Sequence, residues 1–74
     1  MSRSVPKGRV RNRIRALRTE AGLSQQQLAD LVGATRQTIN AIEQEKYAPS
    51  LELAFRVARA FGAGFEDVFE FGES

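Results

Sequence analysis

The spacing of apolar residues predicts two short helices near the middle of the chain, separated by a glycine. Leu28 and Val32 lie on one face of the first helix, and Ile39 and Ile42 lie on one side of the second. Gly33 stands between them, where a backbone with positive φ costs least, so the chain can turn sharply there.

Polar residues mark where both of these helices begin. Ser24, with Gln27 three residues later, has the pattern of a capping box, which satisfies backbone donors that the start of a helix leaves open. Thr35 can cap the second helix. Residues 23–43 are therefore predicted to form a helix-turn-helix unit.

The outward face of the second helix carries side chains that are suited to reading DNA. Arg36, Gln37 and Asn40 can make paired hydrogen bonds to base edges in a major groove, and Ala41 is short enough to lie against a thymine methyl group. Taken alone, this face also fits an ordinary solvated helix. The caps, the turn and the polar face together favour a unit that binds DNA.

The elements on either side of this unit are less sharply marked. A first helix is predicted from about residue 10 to residue 22, with Asn12 as its cap if it starts later. Alternating arginines at residues 9 to 15 could mimic a strand, but Ile14 and Leu17 fit helical spacing better. A fourth helix is predicted over residues 51–61, and a short fifth begins at Phe65.

Residues 23–43 resemble the helix-turn-helix of the Cro/Xre class, the phage-repressor-like DNA-binding proteins. Apolar spacing extends the resemblance over about residues 12–69. It implies an all-α fold, a compact five-helix domain whose third helix enters the major groove. We accordingly expect a flexible basic arm over residues 1–9, the DNA-binding domain over residues 10–69 and a tail over residues 70–74.

The resemblance also implies roles for particular residues. Gln25 would touch a phosphate, and Arg18 would pair with Glu43. We interpret this pair as a lock on helix register, and the alternative is two ordinary surface charges. After the third helix the family often has Gly, whereas this chain has Gln44 and Glu45. Either a non-glycine residue adopts positive φ there, or the helix exits differently.

Further residues are candidates for contacts with the DNA backbone. Hydroxyl, amide and ammonium groups can donate to phosphate oxygens; the predicted phosphate-binding set is Ser24, Gln25, Thr35, Lys46 and Tyr47. The Tyr47 ring could instead pack over the core. Thr38 could contact either DNA or the turn before its helix.

Composition narrows the possible functions. The 74 residues include neither Cys nor His, so disulfides, thiolate metal sites and the usual general base are missing. We therefore expect no enzymatic activity, no metal and no cofactor, and no small-molecule ligand is evident from the sequence. No apolar run approaches the roughly 18 residues that cross a bilayer, and the N-terminus lacks the apolar segment of a signal peptide. A cytoplasmic protein without a membrane partner is expected.

Charge is strongly segregated along the chain, although the net charge is only +2. Residues 1–22 hold seven basic side chains against Glu20, which gives +6, whereas the remaining four basic and eight acidic residues give −4. A basic region of this kind can attract phosphates without sequence preference. For residues 1–9 a solvated tail is an equal alternative.

The C-terminal third has more apolar positions than a small domain can cover. The fourth helix is apolar on more than one face, and two phenylalanines lie close to the terminus. We expect Phe55, Phe69 and Phe71 to form a two-fold dimer interface, in which C-terminal segments pair as short strands across the axis. The alternative is that one Phe folds back onto its own domain and the tail frays.

These patterns predict a sequence-specific DNA-binding transcriptional regulator. We expect it to act as a homodimeric repressor that reads an inverted repeat in double-stranded DNA. The alternative is a protein-interaction module, such as an antitoxin-like partner or a coactivator adaptor, that uses the same fold without reading bases.

Overall fold

The computed structural model describes residues 8–73, with side chains described for residues 8–72. This part of the chain forms five helices and two strands, in the order β1 (Gly8–Asn12), α1 (Ile14–Glu20), α2 (Gln25–Val32), α3 (Arg36–Glu43), α4 (Leu51–Ala60), α5 (Phe65–Val68) and β2 (Phe69–Glu73). Within these residues, no helix has both the length and the apolar character needed to cross a bilayer.

The helices share one apolar core. Ile14, Leu28, Ile39, Ile42 and Val57 are fully buried, one or more from each of α1 to α4. Helices this short are marginal in isolation, so their stability comes from packing of their apolar faces. Burying each aliphatic side chain contributes about 1.5 to 3 kcal/mol.

The predicted caps and turn of the central unit are confirmed. Ser24 Oγ accepts from the Gln27 backbone N at 3.0 Å, and Gln27 Oε1 accepts from the Ser24 backbone N at 2.8 Å. Gly33 ends α2 in the left-handed region, at φ 72°. Thr35 Oγ1 accepts from the Thr38 backbone N at 3.1 Å and so starts α3. These local contacts mark the end of α2 and the start of α3.

The first helix begins later than predicted, because residues 8–12 form a strand. β1 pairs antiparallel with β2, so that Val10 lies opposite Phe71 and Asn12 lies opposite Phe69. The prediction of helix from about residue 10 is therefore wrong, and the fold is mostly helical with a small sheet rather than all-α. Asn12 still supports the start of α1, since its Oδ1 accepts from the Ile14 backbone N at 3.2 Å.

The C-terminal strand has its partner within the same chain. Phe69 is only 5% exposed and its ring centroid lies 5.1 Å from that of Phe65, so its ring packs mainly into its own core. Phe71, in contrast, is 69% exposed. Its ring covers the Gly8 backbone so closely that a Cβ on Gly8 would lie 2.2 Å from it.

Two further predictions concern the N-terminal arm and the loop after α3. Residues 1–7 of the predicted arm lie outside the described residues, whereas Gly8 and Arg9 belong to β1. In the loop after α3, Glu45 has φ 60°, which is the first of the two expected alternatives. Positive φ at a non-glycine residue costs on the order of 1 kcal/mol.

Candidate nucleic-acid interface

The exposed face of α3 presents a row of polar side chains. Arg36, Gln37 and Asn40 are exposed, while Ile39 and Ile42 on the opposite side are fully buried. This division follows from the helical turn of about 100° per residue, which places the three polar residues on one side. Their amide and guanidinium groups therefore face outward from the domain.

Asn40 is held by neighbouring amides. Its Oδ1 accepts from Gln25 Nε2 at 3.1 Å and from Gln44 Nε2 at 3.2 Å. Gln25 Nε2 also lies 3.1 Å from Glu43 Oε1. Since both acceptor sites of Asn40 Oδ1 are occupied, its exposed NH₂ group is the part available to an acceptor on a ligand.

The ion pair between Arg18 and Glu43 that the resemblance implied is present. Arg18 Nε lies 2.7 Å from Glu43 Oε2, and Nη2 lies 3.2 Å from Oε1, so the pair is bidentate. Arg18 Nη1 also donates to the Leu23 carbonyl oxygen at 2.9 Å. Only 15% of the Arg18 side chain and 5% of the Glu43 side chain are exposed. The pair thus joins α1, the approach to α2 and the last turn of α3.

The ion pair shifts the pKa of Arg18. The hydrogen bond to the Glu43 carboxylate is the main reason that the pKa of Arg18 is raised; partial burial opposes the shift, and the Coulomb attraction of Glu43 adds to it. Glu43 also accepts from Gln25, which in turn donates to Asn40. A continuous chain of hydrogen bonds therefore links the ion pair to the exposed face of α3.

The predicted backbone-contacting residues surround this face but differ in what their side chains do. The Ser24 and Thr35 hydroxyls serve as helix caps. Thr38 Oγ1 lies 2.9 Å from Thr35 Oγ1, so Thr38 faces the preceding turn. In the loop after α3, Lys46 is exposed and the Tyr47 side chain is half exposed. Ala41 is half-buried at the edge of the face.

Sequence reasoning missed some contributors to the site. Gln44 lies one turn beyond Asn40 on the same face, and this i,i+4 spacing could have identified it. Two residues of β1 also contact the end of α3. Arg9 donates to the Glu45 carboxylate, and Asn12 donates to the Ile42 carbonyl oxygen. No local pattern signals these contacts, because they depend on where the strand packs.

Comparison with known proteins gives a consistent result. A helix-turn-helix family model matches residues 14–68. An uncharacterised HTH-type transcriptional regulator of Methanothermobacter thermautotrophicus is 54% identical over 61 residues, which cover 81% of this chain and 88% of the relative. Another from Archaeoglobus fulgidus is 47% identical over 64 residues, which cover 86% and 91%.

A solved structure is also similar to this chain in fold and sequence. The restriction-modification controller protein C.AhdI from Aeromonas hydrophila is similar with a TM-score of 0.70 and 33% identity, over 73% of this chain and 82% of that one. Since the family model spans most of the chain and the relatives are transcriptional regulators, this protein belongs to the Cro/Xre-type helix-turn-helix family of DNA-binding transcription regulators.

Proposed function

We propose that this protein is a sequence-specific regulator that inserts α3 into a major groove and acts as a homodimeric repressor at an inverted repeat. The observation that carries the proposal is the outward row of Arg36, Gln37 and Asn40 on a helix whose opposite side is fully buried. Guanidinium and amide groups are the side chains that pair with base edges.

Each side chain of this row has a distinct role in the proposal. Arg36 favours guanine and Gln37 favours adenine, because each can make a bidentate contact there. Asn40 offers its free NH₂ group to a base acceptor, and Ala41 refines the preference at a thymine methyl. Thr38 contributes by ordering the start of α3 rather than by contacting a base.

Other groups would fix the position of the protein on the duplex. Contacts to phosphates set register and orientation without reading sequence; the residues assigned to them are Ser24, Gln25, Thr35, Lys46 and Tyr47. Gln25 would act through its backbone N–H at the start of α2, because its side-chain NH₂ already donates to Asn40 and Glu43. Ser24 and Thr35 would act at the helix starts that they cap, and Lys46 and Tyr47 from the loop after α3.

Selection of bound sequences from a random duplex library tests the base-reading role directly. We expect a palindromic consensus whose half-site centres lie about 10 bp apart, because a two-fold dimer places two copies of α3 in successive major grooves, about 34 Å apart. Failure to enrich any sequence over the input would contradict base reading and favour the protein-interaction alternative.

An apolar groove supports the homodimer part of the proposal. It lies between the sheet and α4, and its apolar lining includes Val10, Pro49, Leu51, Ala54, Phe65 and Phe71. Leu51 and Phe71 are more than two-thirds exposed, and Phe55 beside them is half exposed. A contiguous apolar patch of this kind on a small domain marks an interaction surface. We assign it to a second copy of the chain.

Replacing Phe71 with Ser is expected to weaken self-association at least tenfold, or about 1.4 kcal/mol. The exposed ring would lose contact area in both copies of a two-fold interface. Sedimentation velocity over a range of concentrations measures the change. Leu31→Ser is the matched control, since Leu31 is 63% exposed on α2 but does not line the groove. Equal association of the two variants would contradict the assignment of this surface.

A further inference from the structure

β1 is fixed beside the C-terminal end of α3 by a contact near each of its own ends. Asn12 Nδ2 donates to the Ile42 carbonyl oxygen in the last turn of α3, at 2.9 Å. Arg9 Nη2 lies 2.9 Å from Glu45 Oε1 in the loop that follows. The next residue of that loop is Lys46, so β1 lies alongside a segment that we assign to phosphate binding.

This strand carries two of the arginines in the basic N-terminal region. Arg9 and Arg11 are both exposed, and they alternate with the half-buried Val10 and Asn12. Successive residues of a strand point to opposite faces, so the two arginines share the outer face. The neighbouring strand β2 carries two acidic residues, of which Glu70 lies opposite Arg11 and Glu73 lies opposite Gly8 in the register. Positive charge thus lies on the strand that adjoins α3.

The two arginines have different surroundings. Arg9 forms an ion pair with the Glu45 carboxylate. Glu45 is next to Lys46, so an unpaired carboxylate there would repel a phosphate bound to Lys46. Arg11 forms no ion pair within the described residues, even with Glu70 across the ladder. Its guanidinium is therefore available to an anion, and guanidinium binds phosphate with charge-assisted hydrogen bonds.

We infer that Arg11 on β1 binds a phosphate of the duplex beside the groove that α3 occupies, as a second backbone-binding element. This inference rests on the proposed function, because it requires α3 to be on DNA. In this arrangement Arg11 lies to the side of the recognition helix and meets the sugar–phosphate backbone rather than base edges. Arg11 therefore adds affinity and salt dependence but no sequence preference.

The test compares the salt dependence of DNA binding in Arg11→Gln and Arg59→Gln, two variants that each lose one positive charge. Fluorescence anisotropy with a labelled duplex is measured over about 0.05 to 0.2 M salt, on the selected consensus and on a scrambled sequence. Arg11→Gln is expected to reduce the slope of log K against log salt by about 0.9 per bound protomer, and to weaken binding roughly five- to tenfold at 0.1 M salt on both duplexes. Arg11→Lys, which keeps the charge, should restore most of the slope.

Arg59→Gln is the control, because it removes the same charge elsewhere. Arg59 is exposed and lines a depression with Leu31 and Gly33 at the end of α2. The inference is overturned if Arg11→Gln and Arg59→Gln have equal slopes, or if the loss for Arg11→Gln is confined to the consensus. If the unmodified protein binds neither duplex, the proposed function itself fails, and that result is distinct from an unchanged slope.

Discussion

Replacing Arg18 with Ala is expected to lower the free energy of unfolding by about 3 kcal/mol, the lower end of the range for breaking a buried ion pair. The loss arises because Glu43, with only 5% of its side chain exposed, would keep a charge without its bidentate partner. A domain of 74 residues has a total stability of about 4 to 11 kcal/mol, so this loss would be a large part of it. Urea unfolding followed by circular dichroism measures the change.

Arg56→Ala is the matched control for this experiment. Arg56 pairs with Glu52 one turn away on α4, but 53% and 74% of these side chains are exposed. Such a surface pair contributes less than about 1 kcal/mol. Equal losses for Arg18→Ala and Arg56→Ala would show that the pair between α1 and α3 is an ordinary surface contact.

A double replacement separates the charge from the packing of the Arg18–Glu43 pair. Arg18→Met with Glu43→Leu removes both charges and keeps similar volume, so it should recover most of the stability that Arg18→Ala loses. Because the pKa of Arg18 is raised in the fold, the stability that this shift contributes is fully present below the ordinary arginine pKa. It would be lost only as pH rises through the raised value, so this contribution is constant near neutral pH.

Replacing Arg36 with Ala is expected to weaken binding to the selected consensus by roughly 1 to 3 kcal/mol, or about 5- to 150-fold, and to relax preference at one base pair. Arg36 is exposed in the first turn of α3 and forms no ion pair within the described residues, so the replacement should leave the fold intact. Anisotropy titrations on the consensus and on each single-base variant measure the effect.

Lys46→Ala provides the contrasting result. A lysine that contacts a phosphate adds affinity to every sequence alike, so its loss should weaken consensus and scrambled duplexes equally and reduce the salt slope by about one. If Arg36→Ala also weakens both duplexes equally, Arg36 binds the backbone and its base-reading role is refuted.

The central unit could be predicted from the sequence because its determinants are local. The Ser24–Gln27 capping box and the Thr35 cap each join residues three positions apart, and Gly33 needs only its own backbone freedom. The outward position of Arg36 and Asn40 follows from the burial of Ile39 on the same helix.

The first strand could not be predicted in the same way. Asn12 pairs with Phe69 across 57 residues, and alternating arginines next to helically spaced Ile14 and Leu17 fit either structure locally. The position of Ile14 in the core and the two hydrogen bonds of Asn12 decide the boundary between β1 and α1.

By itself, the sequence determined the helix-turn-helix and the polar face of α3, because periodicity and capping act within one or two turns of a helix. Only the tertiary structure decided that β1 exists, that Phe69 is buried while Phe71 is exposed, and that Arg9 reaches Glu45. Each of these outcomes depends on two segments that are distant in the chain. The backbone groups of β1 and β2 find their partners only when both ends of the chain meet beside the core.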